Sequence, residues 1–419
     1  MQLCIFEDNY FARLEPLIFS RPVYDLVCGI SSIKNKILRA YPGIKFSLHS
    51  RPYMEQVVKV QNPGININSI VEEDCLFING RILASPTMPD IIPVKEDQNK
   101  IYVNKGNIIA ARVSGKKLDE FKNKLSRVFS ASDFSDLPAE EVDIKHVDYI
   151  WDLIAANRNE FLNDYNFLTK IKKDKITGKV YEGVHIIEKE NIIICEGAEV
   201  KPGVLLDASK GPIYLDKNSV ISANSVVEDC IYLGENSQVK SCSKIYDNVS
   251  IQKICKIGGE VEDSIILPFT NKQHSGFIGH AYLGSWINLG ADTNCSDLKN
   301  NYGRIKVYVN GEDIDSGTQF LGLMMGDHSK SGINTMFNTG TVVGFSCNIY
   351  GAGFPEKYIP SFAWGGVDSK ITYDLTKSID TAKKVMQRRN LVLNEHDEKL
   401  FGEIFDMTKT ERKKRGYSI

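Results

Sequence analysis

Between Phe277 and Gly303 the chain reads FIGHAYLGSWINLGADTNCSDLKNNYG, and its histidine, asparagines and tyrosines are the residues whose types and spacing can do chemistry. Leu283-Gly284 and Leu289-Gly290 stand six residues apart, a packing rhythm that has no use for His280, Tyr282, Asn288, Asn301 or Tyr302. Polar side chains that a fold does not require are candidates for function. Histidine is the side chain suited to take a proton near neutrality, and an asparagine amide can donate to an oxyanion. Of the seven histidines, His280 is preferred because Gly279 and Ala281 permit close approach of a substrate. His274, in NKQHSG, and His328, after Gly326-Asp327, are its rivals.

Those residues belong to a longer pattern that must position them. After the charged run Lys170 to Lys179, aliphatic residues recur every six positions at Ile194, Val200 and Leu206, then at Leu215, Ile221, Val227, Leu233, Val239, Ile245, Ile251 and Ile257. A period of six with an inward aliphatic is the hexapeptide form of the parallel β-helix, three hexads to a coil, with backbone hydrogen bonds running between coils. The rhythm is lost between Gly258 and Gly279, resumes at Leu283 and Leu289, breaks from Ser296 to Gly322, and returns at Met325, Ser331, Phe337, Val343 and Ile349. In the second break RIKVYV alternates and meets Asn310-Gly311, which predicts a small protruding hairpin. Ser378 to Arg389 and Glu395 to Phe405 read as amphipathic helices, and Lys409 to Arg415 as a basic, frayed end.

Ahead of the repeat, Gln2 to Phe6 reads as a buried strand and residues 29–41 as an amphipathic helix. Lys45 to His49, Asp74 to Asn79 and Ile101 to Val103 read as further strands and Met54 to Val60 as helical, so an α/β domain with a mainly parallel sheet is expected. Trp151 to Asn166 fits a connecting helix. Ligands of such sheets bind beyond the carboxyl ends of the strands, which puts the loop Glu7 to Ser20 over a site. Near it, Arg13 and Arg21 carry the forked donors that suit phosphate oxygens, unless they sit in surface ion pairs.

At GHAYLG, NLGA and NNYG the chain resembles the acetyltransferase half of the GlmU-like bifunctional sugar-1-phosphate nucleotidylyltransferase/acetyltransferase family. EDNYFARLEPLIFSRPVYDL resembles the first loop of its variant members, which lack the glycine-rich GxGTRM segment. The resemblance implies an α/β nucleotidyltransferase-like domain followed by an all-β left-handed parallel β-helix with C-terminal helices. The domains would then be 1–150, a linker helix and turn at 151–185, the acetyltransferase β-helix at 186–370 and a helical tail at 371–419. It implies His280 as the base that frees an amine to attack acetyl-CoA, and Asn301 as a donor to the oxyanion. Lys272 would hold a sugar phosphate, Tyr282, Asn288 and Tyr302 the acceptor, and Ile333 and Gly351 acetyl-CoA. Arg21, or Arg13, would hold nucleotide phosphates. Asn79, after the strand DCLFI, would be a Mg2+ ligand or else a turn residue, with Asn157 the second Mg2+ ligand. PSFAWGG at 360–366 would close over the acetyl-CoA.

The activity so implied is N-acetylation of glucosamine-1-phosphate and uridylyl transfer from UTP, giving UDP-N-acetylglucosamine, by a cytoplasmic homotrimer with its acyl site between adjacent prisms. Two other readings stay open: an acetyltransferase whose front domain no longer transfers nucleotides, and a non-catalytic trimeric assembly protein that binds a sugar nucleotide. With 51 basic and 53 acidic residues and a net charge of -2, no global field favours nucleic acid or an anionic membrane. No apolar run approaches the roughly 18 residues that span a bilayer, and Met1 to Phe6 runs into Glu7-Asp8 without a signal-peptide profile, so the cytoplasm is expected. Nine cysteines with no CxxC pair point to neither a disulfide framework nor structural zinc.

Overall fold

The structure is a computed structural model and describes residues 1–95, 98–171 and 174–418. The six-residue rhythm becomes three stacks of short parallel strands. In one stack Leu215 pairs with Leu233, Leu233 with Ile251, Ile251 with Ile266, Ile266 with Leu283, Leu283 with Met325 and Met325 with Val343. All of these side chains are buried. Strands of two or three residues suffice because each inward side chain rests on its counterparts in the coils above and below, so no single strand has to be stable alone. The corners are turned by residues in the left-handed region, among them Asn218, Asn224, Asn236 and Asn334, the side-chain type that tolerates that conformation at least cost.

Between Gly258 and Gly279 the stack is continuous, contrary to the loss of rhythm read from the sequence. Ile251 pairs with Ile266 and Ile257 with Lys272, a step of fifteen residues in place of eighteen. The coil is shortened, and the spacing in sequence slips while the ladder does not. The second break is the expected hairpin, Lys306–Val309 against Glu312–Asp315, turning at Asn310 and Gly311 with both φ positive. The excursion then folds back: the Leu321 N–H donates to Asp297 O at 2.8 Å and the Gly322 N–H to His280 O at 2.9 Å.

The front domain is a seven-stranded sheet running Asn66–Ile67, Phe46–Leu48, Gln2–Phe6, Asp74–Asn79, Asn107–Ser114, Lys100–Asn104, Ala139–Glu141. Its first half is parallel, as expected, but Asn107–Ser114 enters antiparallel to both neighbours. The helix Ile150–Ile171 then lies between the two halves of the molecule. Its Arg158 donates to Asp229, Asn248 and the Lys210 carbonyl of the β-helix, while its Asp164 takes Lys36 and Arg39 of the front domain. Gly29, at φ +74, passes so near this helix that a Cβ there would sit 2.6 Å from Glu160 backbone atoms.

Residues 360–366 are part of the prism itself. Ala363–Gly365 stacks on Asn348–Ile349 and pairs antiparallel with Lys370–Thr372, capping the prism. The tail forms helices Leu375–Gln387, Glu395–Met407 and Lys409–Lys414. The last is ordered where fraying was expected, because Arg412 is buried, stacks 4.2 Å from the Phe405 ring and donates to Thr408 Oγ1 and Phe405 O. Among the described residues, no helix is long and apolar enough to cross a membrane.

Candidate functional site

His280 turns a corner of the β-helix between Phe277–Gly279 and Tyr282–Leu283, with φ +45. On the adjacent coils stand three carboxylates. Asp297 Oδ2 lies 2.7 Å from His280 Nδ1, Asp263 Oδ2 3.5 Å from Nε2, and Glu262 Oε1 3.9 Å from Nδ1. Asp297 can come this close because position 279 is glycine: a Cβ there would be 2.5 Å from Asp297 Oδ2. The ring is about one-fifth exposed and stacks on Phe320 from the returning excursion, centroids 5.1 Å apart.

The electrostatics follow from that geometry. Burial disfavours the imidazolium, but the Asp297 hydrogen bond and the charges of Asp263, Asp297 and Glu262 outweigh it and raise the His280 pKa above its ordinary 6.5. Burial first, then the Asp297 charge, pushes the Glu262 carboxyl up to about 7. An imidazole that donates Nδ1–H to a carboxylate is fixed in the tautomer that leaves Nε2 to accept a proton, and the imidazolium so formed is stabilised by the acids around it. The arrangement is therefore a base with its orienting group. Among the described residues, Glu262, His280 and Asp297 are also the one group whose donor atoms cluster closely enough to hold a metal ion. The two rivals are placed otherwise. His328 is buried in the seam between the domains, and the His274 carbonyl accepts from Lys272.

Among the described residues, none of the others singled out from the sequence shares a hydrogen bond, ion pair or ring contact with His280, whose side-chain partners are Asp297, Glu262, Asp263 and Phe320. Lys272 occupies the inward position beneath Ile257 and is fully buried, its ammonium donating to Gly258 O at 2.7 Å and His274 O at 3.0 Å. Burial lowers its pKa to about 8. It is a packed lysine and does not present its charge to a sugar phosphate. Tyr282 is buried with its hydroxyl accepting from Val27 N at 2.9 Å and donating to Val27 O at 2.8 Å, so it fastens the front domain instead of lining an acceptor pocket. Asn288 is exposed on the ladder between Asn271 and Lys330. Asn301 caps Gly303 N through its side chain, and Tyr302 is exposed beside it. Ile333 and Gly351 both face solvent.

In the front domain Arg13 and Arg21 part company. Arg13 pairs with Asp148 at 3.0 Å and lies over the Tyr10 ring, beyond the ends of Gln2–Phe6 and Asp74–Asn79, where Arg81 pairs with Asp8 and the same Asp148. His146, through a hydrogen bond, and then Arg81 and Arg13, through charge, hold the Asp148 carboxyl down at about 2. Arg21 instead reaches the β-helix and pairs with Asp327 and Ser285. Asn79 and Asn157 do not fit a magnesium ion. Asn79 Oδ1 accepts from Arg81 N and its amide donates to Asp8 and Ile108 O, beside a guanidinium that would repel a cation. Asn157 Oδ1 accepts from Gly29 N and Ser250, and its amide donates to Asn248 O.

Asp297, Glu262, Asp263 and Phe320 escaped the sequence reading. The signal was present, since Asp297 stands 17 residues after His280, about one coil.

Residues 3–173 match the family described as sugar nucleotidyl transferase, which is the class of the front domain. The bifunctional sugar-1-phosphate nucleotidylyltransferase/acetyltransferase of Sulfurisphaera tokodaii is 25% identical over 335 residues, covering 77% of this chain and 69% of that protein. The bifunctional protein GlmU of Methanococcus maripaludis is 28% identical, covering 79% of this chain and 89% of its own length, and that of Methanocaldococcus jannaschii is 30% identical over 47% of this chain and 41% of its own. Over much of its length the chain is thus similar to GlmU-like bifunctional sugar-1-phosphate nucleotidylyltransferase/acetyltransferases, with a sugar nucleotidyl transferase match over its front part.

Proposed function

We propose that the chain N-acetylates glucosamine-1-phosphate with acetyl-CoA and joins the product to UMP from UTP, giving UDP-N-acetylglucosamine. The observation that carries the reading is the His280–Asp297 pair, a base with its orienting carboxylate at 2.7 Å on an open corner of the β-helix. His280 Nε2 takes the proton of the amine as nitrogen attacks the thioester carbonyl, Asp297 keeps the ring in the productive tautomer, and the thiolate of CoA leaves. Ile333, Met336, Tyr350, Phe354 and Val367 stand exposed on the late coils, an apolar face of the kind that self-association covers. A homotrimer in the cytoplasm is the form we infer, with Asn301, Tyr302, Asn288, Ile333 and Gly351 of one prism brought to His280 of the next.

For nucleotide transfer, the half-exposed Arg13 beside Arg81 and Asp148 is the phosphate-binding candidate, at the strand ends where such sheets take ligands. Any magnesium would enter on the triphosphate itself, since Asn79 and Asn157 spend their amides on protein groups. Those same spent amides favour the second reading, acetyl transfer alone. Release of CoA from acetyl-CoA plus glucosamine-1-phosphate, and of pyrophosphate from UTP plus the acetylated sugar phosphate, tests both halves separately. His280→Ala should slow the first by about 10²–10⁴-fold and spare the second. An unslowed first reaction rejects His280 as the base.

A further inference from the structure

Where the front domain, the β-helix and the C-terminal helices meet there is a cavity of about 630 Å³, separate from both His280 and the Arg13 edge. That volume is within the range of small-molecule sites. Its walls are apolar and aromatic over most of their extent, with Val57 from the front domain, Trp286 and Phe345 from the β-helix and Leu400 and Phe401 from the tail. Phe269 and Trp286 stack at 4.1 Å and 1°, and His328 lies nearly parallel to Trp286 at 6.0 Å. Phe269 keeps part of its surface uncovered.

The polar groups in this cavity are unevenly served. Its acids already have partners: Asp25 holds Lys34, Asp327 holds Arg21 and the Ser285 N–H, and Asp397 accepts the Asn394 N–H. The donors are not all used. Among the described residues, Arg21 Nη1 is a buried donor without a hydrogen-bond partner, and Nδ1 of His328, which donates or accepts according to the tautomer, has none either, on a side chain that is more than nine-tenths buried. A buried donor left unmatched costs roughly 1–3 kcal/mol, which an acceptor bound beside it would recover. Lys253 is exposed and lines the same cavity. Spare hydrogen-bonding groups on Arg21 and His328 beside the ring surface of Trp286 and Phe269 define the complement: an anion joined to a flat body.

We propose that the seam cavity binds a phosphorylated ligand with a planar ring, by chemistry a nucleoside phosphate, with the phosphate on Arg21, His328 and Lys253 and the ring against Phe269 and Trp286. Since its walls come from all three parts of the chain, occupancy stabilises their docking by mass action. The site is thus an effector site at the joint between the two halves, and it does not depend on either activity proposed above.

The test is a titration of the full chain with adenosine and uridine monophosphates, read by tryptophan fluorescence and by the rise in Tm, with the free nucleosides and inorganic phosphate as controls. A monophosphate should bind more tightly than its nucleoside or phosphate alone, with the fluorescence change lost in Trp286→Phe. Lys253→Glu, on an exposed position that cannot unsettle the core, and His328→Phe, which keeps a ring in the wall, should each weaken binding roughly tenfold or more. Arg13→Gln should leave it unchanged. The proposal is overturned if monophosphates bind no better than nucleosides, if Lys253→Glu has no effect on affinity, or if Arg13→Gln is the variant that abolishes binding.

Discussion

Replacing Asp297 by asparagine isolates what the carboxylate does for His280. The side chain keeps its size and one oxygen able to accept from Nδ1 at the present 2.7 Å, but loses the charge that stabilises the imidazolium. A hydrogen bond to a charged group contributes about 1.5–3 kcal/mol, and each 1.36 kcal/mol on the barrier is about tenfold in rate. The plateau kcat/KM for acetyl transfer should therefore fall roughly 10–10²-fold. The pH profile should move as well. His280 works as a base only when neutral, and its surroundings raise its pKa above 6.5, so the wild-type acidic limb lies above that pH. Asp297 supplies the largest of the raising contributions, so in Asp297→Asn the limb should shift to lower pH while the plateau drops. CoA release followed from pH 5.5 to 9 reads both. A lowered plateau with an unmoved limb would refute the reasoning, because the titrating base would then be some group other than His280.

Three further outcomes follow from single contacts. Glu262, pushed up from 4.5 to about 7, holds a proton in the folded chain that the unfolded chain has released; stability should fall as pH rises from about 4.5 to about 7, and Glu262→Gln should flatten that slope in Tm. His280 leans the same way, since a raised pKa contributes stability that is full below 6.5 and lost above the folded value. Tyr282→Phe strips both partners from the buried Val27 backbone groups, which should cost about 1–3 kcal/mol in urea unfolding and leave the KM for the sugar phosphate unchanged. Lys272→Met swaps a buried ammonium for an apolar chain of similar length in an aliphatic column, so the KM for the sugar phosphate should not move; a tenfold rise in KM would restore Lys272 to the site.

The β-helix was legible because its inward positions admit few residue types, and a side chain at Leu233 or Ile251 is chosen by the coil above it and the coil below. The same logic hid Lys272. Shortening the coil to fifteen residues moved the register, and a lysine could take an inward place because the nearby Gly258 and His274 carbonyls receive its ammonium. The role of Tyr282 is hidden for a different reason: its partner, Val27, is 255 residues away, and no local spacing announces a contact of that range. Arg13 and Arg21, eight positions apart, look in sequence like alternatives for one task. The loop between them turns one toward Asp148 and the other toward Asp327.

The stacking that built the dyad also limits what one chain can do. Corner residues of successive coils lie over one another, so Asp263, His280 and Asp297 meet although they are far apart in sequence. Read as a ladder and not as a string, GHAYLG would have pointed to an acid one coil on. The same ladder puts Lys272 and Asn288 on another strand stack, joined through Lys330 and Asn348 to the coils that carry Ile333 and Gly351. A face of a prism cannot bend round to meet its own far corner. If acceptor and acetyl-CoA contacts do come from that stack, they reach His280 only from a second prism, so the acetyl-transfer proposal requires association: activity per chain should fall as the protein is diluted below its trimer dissociation constant, whereas uridylyl transfer at the Arg13 edge should not.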